Sequence, residues 1–85
     1  MRIAAVGGKE TLVGIRLAGV KTVLETSDPE KALAYIRKLL DMEDIAIVIV
    51  TRDISDKIQN ELETLRKGRA TPVFVEFPDM SIFKR

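Results

Sequence analysis

The chain has 85 residues, enough for one domain, and 46% hydrophobic with 32% charged residues is a composition typical of a folded globular protein. Fourteen Lys and Arg against thirteen Asp and Glu leave a net charge of +1, so the chain as a whole exerts little long-range attraction on nucleic acid or anionic lipid. The absence of Cys and His excludes a disulfide framework and the ligands that zinc prefers, which leaves oxygen atoms for any metal.

Strand and helix patterns alternate in the first part of the chain. An apolar run at Ile3 to Val6 predicts the first strand, helical spacing over Glu10 to Leu17 predicts a helix that Gly19 ends, and Thr22 to Leu24 predicts the second strand. Gly14 inside the helix costs about 0.5 to 1 kcal/mol relative to Ala. Either simple tolerance or a close approach of the backbone to the sheet or a partner explains it.

The second helix has a start signal at positions 27 to 30, where two capping arrangements are open. In the first, Asp28 is the N-cap residue and Pro29 occupies the first helical position. In the second, Ser27 is the N-cap residue and Glu30 completes a capping box. Both arrangements predict a helix that begins here and carries its apolar residues on one face.

The third strand pattern, Ile45 to Val50, is apolar at every position, which predicts a central strand covered by helices on both faces. A single helix is predicted from Ile54 to Lys67, ending at Gly68, and the last strand from Val73 to Phe77. Strands alternating with helices over short connections predict a parallel sheet.

The predicted fold class is therefore α/β, a Rossmann-like domain with a four-stranded parallel sheet in the flavodoxin-like order 2-1-3-4 and helices on both faces. The domain spans residues 1–78, and residues 79–85 are interpreted as the start of a C-terminal extension. No apolar run approaches the length of about 20 residues that crosses a bilayer, and the N-terminus lacks a signal-peptide pattern, so we expect a cytoplasmic chain without direct membrane insertion.

Ligands of open parallel sheets bind beyond the carboxyl ends of the strands, which here points to residues 7–10 and 51–53. Gly7 and Gly8 with nearby cations are compatible with an anion site, but they form no phosphate-binding fingerprint, so turn chemistry is the preferred interpretation. Asp53 raises the alternative of a receiver-like phospho-signalling domain. The acidic cluster of such a domain is missing, which favours Asp53 as a helix cap.

Catalytic templates find little support in the sequence. A Ser or Thr nucleophile without His or Cys needs a Lys or carboxylate base in a dry pocket, and no pattern indicates one. We therefore expect neither catalytic residues nor a cofactor. The basic run Arg66-Lys67-Gly68-Arg69 leaves a small RNA-binding domain as a weaker alternative, although the helix dipole already accounts for cations at that helix end, and we expect no nucleic-acid partner.

Four segments together resemble the F subunit family of archaeal and vacuolar-type (A-type and V-type) rotary ATPases and ATP synthases. The segments are Ile3–Gly7, Thr11–Val20, Asp44–Thr51 and Pro72–Pro78. The most specific piece is Gly14-Ile15-Arg16-Leu17-Ala18-Gly19, because parallel-sheet strands are generic. The resemblance covers nearly the whole chain up to Pro78.

The resemblance implies a noncatalytic central-stalk subunit that binds the coiled-coil D subunit and modulates ATP hydrolysis or synthesis by the A/B hexamer, peripheral to the membrane. The hexamer contact is expected through the C-terminal region. Residues expected to contact partners are Lys9, Arg16, Thr51, Arg52, Pro78, Ile82 and Phe83.

The chain departs from the family pattern at two places. Members usually carry an acidic residue just after the first strand's glycine, where this chain has Gly8-Lys9. Members also usually continue into a mobile C-terminal helix that contacts the hexamer, and only Ser81 to Arg85 could begin such a helix here. We expect a shortened form that retains stalk docking and lacks part of the regulation.

Overall fold

The computed structural model describes residues 2–78, so Ile82 and Phe83 lie outside the described residues. The strands are β1 (Arg2–Gly7), β2 (Thr22–Glu25), β3 (Ile45–Thr51) and β4 (Val73–Phe77). The helices are α1 (Lys9–Leu17), α2 (Pro29–Leu40), α3 (Arg52–Lys57) and α4 (Gln59–Arg66). All neighbouring strands pair in parallel in the order β2-β1-β3-β4, which confirms the predicted sheet.

The larger hydrophobic core lies between one face of the sheet and helices α2, α3 and α4. Its helical side chains include Ile36, Leu39, Ile54, Ile58 and Leu62, all buried. They pack against small and β-branched strand residues from β1 and β3, which present a flat surface to them. This face of the central strands is covered as the sequence predicts.

The smaller core lies on the other face, under α1 alone. Only Ala5, Leu12 and Ile15 are fully buried in it, with Val20, Val23, Ile49 and Phe77 partly buried around them. Helices therefore lie on both faces, as predicted, but the coverage is unequal. The prediction that β3 is covered on both faces is only partly correct, because Ile47 and Ile49 are only partly buried.

The start of α2 resolves the choice between the two capping arrangements. Asp28 is the N-cap residue, and its Oδ1 accepts a hydrogen bond of 2.9 Å from the backbone N–H of Glu30. Pro29 occupies the first helical position, where no N–H is needed. The first arrangement is therefore the one that the chain adopts.

We expect Asp28→Ala to lower the free energy of unfolding by about 1 kcal/mol, because the N–H of Glu30 loses its acceptor. Ser27→Ala, one residue earlier, is the matched control and is expected to change it by less than about 0.5 kcal/mol, typical of a surface substitution. Urea unfolding of both variants is the measurement. Equal losses at the two positions would contradict the assignment of Asp28.

The predicted third helix is wrong as a single element. It begins earlier, at Arg52, and breaks into α3 and α4 at Ile58, whose backbone (φ −122°, ψ 22°) leaves the helical region. Ile58 is buried, and its N–H still bonds to the carbonyl of Ile54 while its own carbonyl accepts from the N–H of Leu62. Hydrophobic spacing does not detect a bend that preserves these bonds and the buried stripe.

An ion pair fixes the beginning of β1 to the loop before β3. Arg2 Nε donates to Asp44 Oδ2 at 2.6 Å and Arg2 Nη2 to Asp44 Oδ1 at 3.2 Å. The hydrogen bond from Arg2 holds the pKa of the Asp44 carboxyl below its usual range. The backbone N–H of Arg2 also bonds to the Asp44 carbonyl, at 2.7 Å, so the pair extends a main-chain contact.

We expect Arg2→Gln to raise the pKa of Asp44 back toward the ordinary value of about 4. A lowered folded-state pKa stabilises the fold above the unfolded-state pKa, and that contribution is lost as the pH falls through the folded-state pKa. The variant should therefore differ from the parent at neutral pH and converge with it in acid. Carboxyl NMR titration of Asp44 tests this, and an unchanged pKa in the variant would contradict it.

Candidate functional site

The two loops at the carboxyl ends of β1 and β3 are bound to each other. The backbone N–H of Gly8 donates to Thr51 Oγ1 at 3.1 Å, and the Thr51 hydroxyl donates to Asp53 Oδ1. A Cβ at Gly7 would overlap the Thr51 side chain, and one at Gly8 would lie 2.7 Å from Asp53 Oδ2. Glycine at position 7 is therefore required by close packing between the loops, whereas a Cβ at position 8 would displace only the end of the Asp53 side chain.

The Asp53 carboxylate occupies the place that an anion would need at the beginning of α1. Gly8 is the N-cap residue of that helix and has no side chain of its own, so a carboxylate beside it complements the helix dipole. The preference for turn chemistry over a phosphate site agrees with this packing. The prediction that Asp53 caps its own helix is wrong, since Thr51 is the N-cap residue of α3 and Asp53 lies in its first turn.

The described part of the chain offers little for metal chemistry. Within residues 2–78 no group of three His, Cys, Asp or Glu side chains could hold a metal ion. Asp53 is already hydrogen-bonded to Thr51, so the observation that favoured a receiver-like domain loses its force. No helix among residues 2–78 combines the length and the apolar character needed to cross a membrane.

Most of the residues expected to contact partners gather at one edge of the sheet. Lys9 and Arg52 are exposed beyond the carboxyl ends of β1 and β3, and Pro78 is half-buried after β4. Thr51 lies at the same edge but is fully buried, so its side chain holds the Gly8 loop instead of forming outer surface. Arg16 is exposed on α1, 3.8 Å from Glu25 of β2.

An apolar area on the α1 side of the sheet was not anticipated. Pairing in register places Ile47 beside Val73 and Ile49 beside Val75, and Ile49 packs with the α1 core, so these four side chains share that face. We call them the open sheet face. Val73 is 52% exposed and Val75 42% exposed, which is unusual for a parallel sheet.

The strand order explains why helices cover the two faces of the sheet unequally, which the sequence analysis did not predict. Crossovers between parallel strands are right-handed, so the side on which a helix lies depends on the direction in which the chain moves across the sheet. The step from β1 to β2 runs one way, whereas the steps from β2 to β3 and from β3 to β4 run the other way. The order 2-1-3-4 thus puts one helix on one face and the remaining helices on the opposite face.

A groove with a cationic rim lies between the end of α4 and the beginning of β4. It has a volume of about 480 Å³, and Val73 and Phe74 line it together with Arg66, Lys67 and Arg69. Glu63 is the carboxylate among its lining residues. Cations at the end of α4 complement the helix dipole. The same groove also contains Val73, an exposed apolar side chain.

Gly14 lies on the exposed side of α1. A Cβ built there would meet no atom within 4 Å, so close packing against the sheet does not explain the glycine. Arg16 reaches β2, and Gly14 is two residues away, about 200° around the helix at 100° per residue. Gly14 is therefore on the flank turned away from β2. Two of the explanations that the sequence left open remain: simple tolerance of glycine at this position, and close approach of the helix backbone to a partner.

We expect Gly14→Ala to raise the free energy of unfolding by about 0.5 to 1 kcal/mol, because Ala has less unfolded-state entropy and the helix has room for its methyl group. Chemical denaturation measures the change. Gly19→Ala is the matched control, since that site is equally open but has φ +106°, and it should destabilise the chain. A loss of stability at Gly14 would contradict the open geometry.

The described residues define a class of protein, a small doubly wound α/β domain. Its strand-end loops pack on each other, and it exposes apolar side chains on one face of the sheet. Comparison with known proteins narrows the class. The family model described as ATP synthase (F/14-kDa) subunit matches residues 3–83, and the chain belongs to that family. Its members are noncatalytic subunits of the rotary ATPase complex, which confirms the resemblance and the expectation that the chain is not itself an enzyme.

Individual relatives agree with the family match. The F subunit of the A-type ATP synthase of Methanocaldococcus jannaschii is 38% identical over 79 residues, covering 93% of this chain and 76% of that protein. Its counterpart in Methanothermobacter thermautotrophicus is 35% identical over 77 residues, covering 91% and 72%. The crystal structure of the F subunit of the V-type ATP synthase from Archaeoglobus fulgidus has a TM-score of 0.69 at 22% identity, over 89% of this chain and 95% of that one, which supports the fold.

Proposed function

We propose that this chain is the small central-stalk subunit of an A-type or V-type ATP synthase, that it binds the coiled-coil D subunit, and that it modulates ATP hydrolysis or synthesis by the A/B hexamer. The observation that carries the proposal is the family match over residues 3–83. The chain would lie in the cytoplasm, peripheral to the membrane as part of the complex. Its role in the complex would be to bind other subunits.

The surface of the described residues supports a binding role. The strand-end crevice is closed by Thr51 and Asp53, whereas Val73 and Val75 stand exposed on the sheet. Leu17, at 84% exposure, adds a further apolar side chain at the end of α1. Exposed apolar side chains on a small domain are typical of surfaces that a partner covers.

The test is reconstitution with the purified coiled-coil subunit and the A/B hexamer. Coelution of the chain with the coiled-coil subunit is expected, together with a change in the ATPase rate of the hexamer when both are added. An unrelated doubly wound domain of similar size is the control for nonspecific effects. Absence of a complex together with an unchanged ATPase rate would defeat the proposal.

The contact with the hexamer is proposed to involve Ile82 and Phe83 in the segment after Pro78. Ile82→Ala combined with Phe83→Ala should reduce the effect on the ATPase rate and leave coelution with the coiled-coil subunit intact. A loss of the ATPase effect without a loss of coelution would distinguish the contact with the hexamer from the contact with the coiled-coil subunit. Loss of coelution in the double variant would assign these residues to stalk binding instead.

A further inference from the structure

The outer edge of β4 is unpaired within the described residues. β4 is the last strand in the sheet order and pairs with β3 alone, and no other backbone hydrogen bond within residues 2–78 reaches it. Alternate residues of a strand direct their N–H and C=O groups to opposite edges, so part of the backbone of β4 faces away from β3. Such an edge accepts a further strand unless charges, proline or a covering element block it.

The residues of β4 do little to block this edge. The strand is apolar at four of its five positions, and Glu76 is its one charged residue. Val73 and Val75 are 52% and 42% exposed. Proline stands just outside the strand at each end, as Pro72 and Pro78, and none lies within it. The other outer strand, β2, is better protected, because three of its four residues are half-buried.

The length of the strand fixes the register of a second β4 added to this edge. If another copy of the chain pairs its β4 in the antiparallel direction, all five residues of both strands pair when Val75 lies opposite its own counterpart. Val73 then lies opposite Phe77 of the second copy, on the α1 side of both sheets. Pairing of identical strands in this way is two-fold symmetric, so the assembly closes at two copies.

The side of β4 that faces α4 carries complementary charges. Phe74 packs in the core under α2, α3 and α4, and in the same register it lies opposite Glu76 of the second copy, with about 5 Å between the Cβ atoms. Arg66 of α4 and Phe74 line the same cavity, of about 240 Å³. Glu76 of each copy therefore comes next to Arg66 of the other, and the two-fold axis makes this contact twice.

Both charged groups have capacity for the contact. No ion pair engages Arg66 within residues 2–78, although Glu63 lines the same cavity. Glu76 Oε2 accepts a hydrogen bond of 2.9 Å from Ser55 Oγ, and a carboxylate can accept further hydrogen bonds through its remaining lone pairs. A second β4 thus supplies both the apolar side chains and the carboxylate that this edge can bind.

We propose that the chain forms a two-fold symmetric dimer in which the β4 strands of two copies pair antiparallel and join two four-stranded sheets into one continuous sheet. Val75 is buried against its counterpart, and Glu76 of each copy binds Arg66 of the other. The dimer is independent of the stalk function, because it involves copies of this chain alone. Five paired residues make a small interface, so the dimer should dissociate on dilution.

Sedimentation equilibrium of the full chain over a range of concentrations measures the association. The mass of the parent should rise with concentration from 9.5 kDa toward twice that value. Val75→Lys places like charges opposite each other at the two-fold axis and should weaken the association at least tenfold. Val13→Lys, at a valine of α1 that is 47% exposed, is the matched control and should change it less than twofold.

Two charge reversals test the contact between Glu76 and Arg66. Glu76→Arg and Arg66→Glu each place like charges together, so each variant alone should associate at least tenfold more weakly than the parent. Mixed in equal amounts, the two variants have opposite charges at both contacts and should form a heterodimer about as tight as the parent dimer. Damage to the fold does not produce such a rescue. Asp41→Arg at the exposed end of α2, with the same change of charge, should associate like the parent.

Circular dichroism confirms folding of each variant, and the mixing experiment decides the matter if Val75→Lys does not fold. A parent that stays at 9.5 kDa at its highest soluble concentration overturns the proposal, as does association that Val75→Lys leaves intact. Growth beyond two copies also overturns it, because pairing of β4 with β2 of the next copy does not close. Each of these results leaves the stalk function to the reconstitution experiment.

Discussion

Gly7→Ala is expected to lower the free energy of unfolding by about 3 kcal/mol or more. A Cβ at this position would overlap the Thr51 side chain, which is fully buried and cannot move aside. The backbone conformation adds strain, because Gly7 has φ +155°. Small domains have total stabilities near the lower end of about 5 to 15 kcal/mol, so the loss is a large fraction of the whole.

Urea unfolding with two comparison variants identifies the cause. Gly68→Ala also places a Cβ at a positive φ, +72°, but in open space, and should cost only about 1 to 2 kcal/mol. Thr51→Ala removes Oγ1 and Cγ2, the two atoms nearest to the added Cβ, and keeps Thr51 Cβ at 2.5 Å, so adding it to Gly7→Ala should cost less than the sum of the single losses. Equal losses at Gly7 and Gly68, or strict additivity with Thr51→Ala, would contradict the overlap.

Leu12→Ala should lower the free energy of unfolding by about 2 to 5 kcal/mol, the range for truncating a buried leucine. Leu12 is 0% exposed and is one of only three buried side chains in the α1 core. That core has few other apolar contacts to hold α1 on the sheet. The truncation therefore weakens a whole layer of the domain.

The matched control lies on the same helix. Leu17→Ala removes the same atoms from a side chain that is 84% exposed and should change the free energy of unfolding by less than about 0.5 kcal/mol. The urea midpoint at an unchanged slope reports the difference. Similar midpoints for the two variants would show that Leu12 does not hold α1 on the sheet.

The open sheet face and the α1 core are two consequences of one arrangement. A single helix covers the side of the sheet that bears Ile49, Val73 and Val75, so its few buried contacts hold it on the sheet while Val73 and Val75 of β4 stay accessible.

The sequence by itself determined the sheet, the order of its strands and the family. Continuous apolar runs such as Ile45 to Val50 have few alternatives to buried parallel strands, and short connections with right-handed crossovers leave little freedom of order. Glycine at position 19 and Asp28 before Pro29 placed helix ends correctly, because their conformational and hydrogen-bonding preferences act within a few residues.

Only the tertiary structure decided what depends on atoms distant in sequence. The bend at Ile58 preserves the local spacing of buried residues, so periodicity cannot detect it. Asp53 lies beside Gly8 and Thr51 faces Gly7 because β1 and β3 are neighbours, and a capping rule that considers one helix at a time assigns Asp53 incorrectly. Exposure of Val73 and Val75 likewise depends on which helices cross which face, and side-chain type alone does not determine it.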